Sequence, residues 1–168
     1  MTFSDKGALG ALREAKKQGV VRFIGASGHL HPSRFHDVLD TGEIDVLMNA
    51  VNFVVQHTYD FEHKLWARAR RENVGLVAMK VLGGVGANRT GFRLPAEQYS
   101  NAIRYALSLP GIACAVIGIA SVQELQQAAE AVIDFKPLTE EETNKLAQIG
   151  LAMSASPPWK TAYGDPLT

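Results

Sequence analysis

Four short runs rich in β-branched, aromatic or other apolar residues recur along the chain at residues 20–26, 44–51, 75–79 and 113–119, with helix-like segments between them. This alternation constrains the fold more than any other feature, because strands separated by helices pair in parallel through right-handed crossovers. The first helix is predicted over residues 6–18, where Leu9, Leu12 and Ala15 recur at helical spacing, Ser4 or Asp5 can cap it and Gly19 can end it. A second helix, residues 32–39, opens on Pro32. A third, residues 61–72, places Leu65, Trp66 and Ala69 near one face and closes at Asn73. A fourth spans residues 95–109, a fifth 122–132, and a last one opens at Thr139, which has capping-box spacing to Glu142. The run at 20–26 reads as a strand buried on both faces, and Cys114 as a small buried hydrophobe. Residues 1–155 are expected to form one βα domain and 156–168 an irregular C-terminal tail.

Periodicity alone leaves two parallel architectures open, a doubly wound sheet or part of a β/α barrel. A complete eight-stranded barrel takes roughly 250 residues, so a chain of 168 residues can supply only about half of one. Such a half exposes two sheet edges and an apolar inner face, both of which favour association. Composition narrows the partners. Lys plus Arg and Asp plus Glu number 17 each, which leaves no basic field for nucleic acid and no acidic block. With Cys114 the single cysteine, no intrachain disulfide or cysteine metal set can form. No secretory leader pattern or membrane-length apolar run is seen, so a cytoplasmic location is expected and a membrane partner is not.

Several segments, in order, resemble the C-terminal half of the aldo/keto reductase barrel. Residues 8–28, ALGALREAKKQGVVRFIGASG, resemble that family's passage from helix four to strand five. Asp45, Val46, Leu47 and Met48 with Asn52 resemble strand six, and residues 75–84 resemble strand seven. Residues 115–118 with Ser121 and Val122 resemble strand eight, while residues 104–107 and 138–142 resemble the later helices. The resemblance implies a half TIM-barrel of four βα units with parallel strands, related to enzymes that pass hydride between NADPH and a carbonyl or alcohol. In that family the proton-donating tyrosine and its lysine, aspartate and histidine partners come from the first half of the barrel. The resemblance therefore implies no catalytic residue in this chain.

Cofactor contacts carry over one by one. Ser27 matches the serine that holds the nicotinamide amide, Leu82 and Gly83 the loop over the pyrophosphate, and Ser121 with Val122 the loop near the adenosine phosphate. Gly28, Met79 and Lys80 complete the cofactor-binding set the resemblance implies, with departures from the common residues at Gly28, Met48 and Met79. Basic residues that would neutralise a 2′-phosphate are replaced around Ala120 and residues 123–126, so NADP binding is expected to be weak or absent. Lys80, at a strand end, suits a solvated or ion-paired role better than a Schiff base. His29, His31 and His57 match no zinc spacing, and no metal site is expected. The segment Gly84, Val85, Gly86, Ala87, Asn88, Arg89 lacks the third glycine of a dinucleotide fingerprint and reads as a loop.

The leading expectation is a truncated, self-associating half-barrel, most simply a homodimer, with at most weak NAD(P)H or small-ligand binding. One alternative is an interaction module that completes a reductase barrel with a separate N-terminal half chain. Another is an active NADPH-dependent oxidoreductase working through a non-standard site.

Overall fold

The computed structural model describes residues 4–84, 92–133 and 135–165. Most of the fingerprint-like segment at 84–89 lies outside them. Helix α1 (Ala8–Lys17) leads to strand β1 (Gly25–Gly28), α2 (Arg34–Asp40) to β2 (Val46–Ala50), and α3 (Ala67–Arg71) to β3 (Gly75–Met79). A turn of π-helix, Glu62–Trp66, precedes α3. A short antiparallel pair, β4 (Gly83–Gly84) with β5 (Phe92–Arg93), follows β3. Then come α4 (Tyr99–Ser108), β6 (Ile112–Ala115), α5 (Val122–Ile133), α6 (Glu140–Ser154) and α7 (Pro157–Tyr163). The main sheet has four parallel strands in the order β1-β2-β3-β6, which is chain order and the connectivity of an unclosed half-barrel.

Register assigns each residue a face. Ala26, Leu47 and Leu76 form one row, and Gly28, Asn49, Ala78 and Ala115 a second on the same face. Leu47, Asn49, Leu76 and Ala78 are fully buried there, within a core that includes Phe53, Phe61, Leu65 and Trp66. The opposite face carries the row Ser27, Met48, Val77 and Cys114; Ser27 and Cys114 are exposed, and Met48 and Val77 are only half-buried. That face has no covering layer among the described residues.

Four readings need correction. Residues 20–23 are not a buried strand: Val20 and Phe23 are exposed, and β1 begins only at Gly25. The reason lies in pairing. Among the described residues β1 pairs with β2 alone, and that contact starts where Asp45 N–H meets the Ile24 carbonyl at 2.8 Å, so the residues before Ile24 have no ladder to join there. Cys114 is exposed because β6 is the other edge strand and its row lies on the open face. An extra residue, Ala113, enters β6 opposite the step from Leu76 to Val77, a bulge of the kind edge strands carry. The expected irregular tail instead contains α7, with Pro157 in its first turn. Its Trp159 is fully buried, stacks on Tyr163 at 4.2 Å, meets Phe92 edge-on at 5.0 Å and donates to Thr58 Oγ1 at 2.9 Å. Gly7 rather than Ser4 or Asp5 stands at the N-cap of α1. Among the described residues no helix is long and apolar enough to cross a membrane.

Candidate functional site

The C-terminal ends of the parallel strands converge on a cleft of about 430 Å³, lined among others by Met48, Met79, Lys80, Gly83, Val116 and Ile117. Strand ends at this side of a parallel sheet are where α/β folds place ligands, because the crossover loops diverge there. Asn52 fixes the floor. Its Oδ1 accepts the Val54 and Val55 N–H groups, both at 2.9 Å, while its Nδ2 donates to the Lys80 carbonyl at 3.0 Å. One fully buried amide thus ties the end of β2 to the end of β3. Lys80 takes φ of 57°, a left-handed conformation uncommon outside glycine, and so turns the chain sharply out of β3.

His29 and Arg93 also border the cleft. The His29 ring is held below its ordinary range, first by loss of surrounding water and then by the positive charge of Lys80. Arg93 is engaged through two of its three nitrogens. Its Nε meets the Tyr99 hydroxyl at 2.5 Å, and its Nη2 reaches Glu124 Oε2 at 2.7 Å and the Gly118 carbonyl at 3.2 Å. The Tyr99 contact is the main reason its proton is held more tightly than usual.

Of the residues expected to hold a cofactor, Met79, Lys80, Leu82 and Gly83 line this cleft. Ser27 lies apart from it, in a groove of about 860 Å³ that runs along the outer edge of β1 between α1 and α2. Ser121 stands on the loop before α5, its Oγ accepting the Glu124 N–H at 3.2 Å. Gly28 lines neither. A Cβ there would come within 2.4 Å of the Phe35 ring, so internal packing already accounts for glycine. Gly83 has φ of 84°, and its Cβ would lie 2.6 Å from the Phe92 carbonyl oxygen, so the β4–β5 pair explains it equally well. Neither glycine is evidence for a ligand.

A buried polar cluster between the turns that follow β2 and helix α4 escaped sequence reading. Glu62 is 6% exposed, and its Oε2 has no hydrogen-bond partner among the described residues. Its Oε1 lies 3.1 Å from the Tyr105 hydroxyl, which also meets Gln56 Oε1 at 2.7 Å. Burial, followed by the charge of Asp60, pushes the Glu62 carboxyl up to about 7. The signal was present: Glu62 stands on the same helical stripe as Leu65, Trp66 and Ala69, where an apolar residue is the norm. Among the described residues no group of three His, Cys, Asp or Glu side chains could hold a metal ion.

Residues 2–100 match the Aldo/keto reductase family. The holo form of an aldo-keto reductase from Bacillus halodurans aligns with a TM-score of 0.62 at 19% identity, over 83% of this chain and 54% of that one. A thermostable aldo-keto reductase in complex with the inhibitor epalrestat gives 0.61 at 21%, over 84% and 53%. An aldo-keto reductase from Bombyx mori in complex with NADP gives 0.56 at 17%, over 82% and 47%. No curated protein matches the chain. The chain spans about half the length of the structures it resembles.

Proposed function

Because this chain belongs to the aldo/keto reductase family, we propose that it acts as a half-barrel that pairs with a second copy of itself and holds NAD(P)H or a small ligand at most weakly. The carrying observation is the sheet face bearing Met48, Val77 and Cys114, uncovered among the described residues and flanked by outer edges of β1 and β6 that pair with none of them. Edges and apolar faces of this kind are covered in stable proteins. Two copies bring the eight strands of a barrel.

Carbonyl reduction by the family's usual route is not part of the proposal. The cleft has no tyrosine among its described lining residues, and of the lysine and arginine that line it, Lys80 and Arg93, the arginine is engaged with Glu124 and Tyr99. Stabilising a developing oxyanion requires a donor aimed at it. Residues toward a nicotinamide cofactor are Met79, Lys80, Leu82 and Gly83 at the cleft, whereas Ser27 lies in the groove along β1 and Ser121 on the loop before α5. When bound, such a cofactor supplies a hydride; these residues can position it and shield one side from water.

A second reading is favoured by the groove along β1. Its apolar lining, including Leu9, Leu12 and Phe35, suits a neighbouring strand and helix, which a separate half-barrel chain carrying the catalytic tetrad would also provide. Sedimentation of the pure protein, with NADPH and NADH added in turn, decides. A monodisperse dimer of the 18.2 kDa chain supports self-completion. A dye-binding, aggregating monomer directs the search to a partner half, and a compact monomer that binds no dye sinks both readings. An unmodified mass after borohydride and a carbonyl compound eliminates a Lys80 Schiff base.

A further inference from the structure

We infer that the open side of α5 seats against the β1 edge of a second copy of the chain, head to tail, so that one two-fold axis makes the same contact twice. The inference deepens the self-pairing proposed above and rests on it. Helix α5 carries two apolar strips. It packs on α4 and buries Ala128 and Ala131, while Val122, Leu125, Ala129 and Val132, at helical spacing on an adjoining strip, are exposed. This strip follows β6, one edge of the sheet. At the opposite edge the groove along β1 lies open, with Leu12 on its wall and Val20 and Phe23 exposed just before the strand. Of the exposed large apolar side chains among the described residues, Leu151 alone belongs to neither edge region. Apolar surface gathered in this way marks an interface rather than ordinary solvated surface.

Charge points to a second copy as the occupant and sets how the copies meet. From residue 113 to residue 133 the charged side chains are Glu124 and Glu130, with no lysine or arginine. From residue 6 to residue 22 Glu14 is the single acid among five basic side chains. Arg13 and Lys16 are paired with Glu43 and Asp45, which leaves Lys6, Lys17 and Arg22 without an ion pair among the described residues. Two α5 strips face to face set acid against acid, and two β1 edges set base against base; the crossed contact joins opposite signs. Level agrees with sign. Glu124, in the first turn of α5, reaches Arg93 beside the cleft, so α5 starts at the C-terminal ends of the strands and carries Glu130 toward the other end. Lys17 and Arg22 stand at that other end too, because α1 finishes there and β1 begins. A two-fold along the strands keeps these groups level and turns the two open sheet faces toward each other, whereas a two-fold across the strands brings like edges together.

Sedimentation equilibrium of the whole chain at low salt tests the joint by exchanging its charges. One variant carries Lys17→Glu with Arg22→Glu, the other Gln126→Lys with Glu130→Lys, and far-UV circular dichroism checks that both fold. Each variant alone sets like charges at both joints and is expected to dimerise about tenfold or more weakly than the native chain, the scale of several exposed pairs turned from attractive to repulsive. An equimolar mixture has opposite charges at both joints and is expected to recover the native dimer, and high salt should shrink the difference between variants and native chain. A dimer of native strength from either variant alone, or a mixture as weak as its parts, overturns the head-to-tail joint and leaves self-pairing standing. A native chain that stays monomeric or aggregates overturns self-pairing, and the joint with it.

Discussion

At the scale of single residues, Glu62 is a carboxylic acid held away from water. Protonated, it can donate to the Tyr105 oxygen while Tyr105 donates to Gln56; ionised, it leaves a buried charge with Oε2 unpaired. Its folded value of about 7 lies above the ordinary 4.5, so the folded state holds the proton more tightly than the unfolded one. The stability this lends is complete below about 4.5 and is lost as pH rises to 7. Glu62→Gln should therefore unfold less readily than the native chain at pH 8, by on the order of 2 kcal/mol, and differ little at pH 4.5, as read by urea unfolding at both values. Asn52→Ala should cost about 2–3 kcal/mol in the same assay, because it strands the Val54 and Val55 N–H groups and loosens Lys80. Asn52 was visible in the sequence as a family-like position. Its structural task was not, because its partners lie both in the next turn and in another strand.

At the scale of elements, accuracy tracked the number of neighbours. Strand β3, flanked on both sides, runs over the residues its apolar pattern marked, and β2 lies inside its predicted span. At the edges the pattern misled: β1 begins late and β6 ends early, because apolar residues extend beyond the pairing that would make them strand. Capping chemistry was legible because it is local. Thr139 and Glu142 form the reciprocal pair that opens α6, and Arg104 of α4 grips the Glu142 carboxylate at 2.9 and 3.1 Å. Arg104 first, then the Thr139 N–H, lowers Glu142 to about 2. This contribution is present above pH 4.5 and fades as pH falls toward 2, so Arg104→Met should flatten the acid limb of the stability profile. Thr139→Ala should lower stability by about 1 kcal/mol through loss of the cap, measured by thermal unfolding. Neither the π turn before α3 nor helix α7 follows from an apolar repeat in its own short segment. The latter is held by Trp159 against residues roughly a hundred positions earlier in the chain, such as Thr58.

At the scale of the whole molecule, the half-barrel architecture was legible because its evidence is distributed: alternation, segment order and length agree even where individual boundaries slip. Which face lies open follows only from register, since Val77 and Ala78 look alike in sequence yet face opposite ways. Val77→Asp places a charge on the uncovered side. It should weaken self-association by about tenfold or more in sedimentation equilibrium while leaving the far-UV circular dichroism of the separated chain unchanged. Finally, the thiol of Cys114 lies in that same row. The protein thereby carries its own gauge of assembly: the rate at which a thiol reagent modifies this one sulfur reports the fraction of time the face stands bare, with no label added and no residue changed.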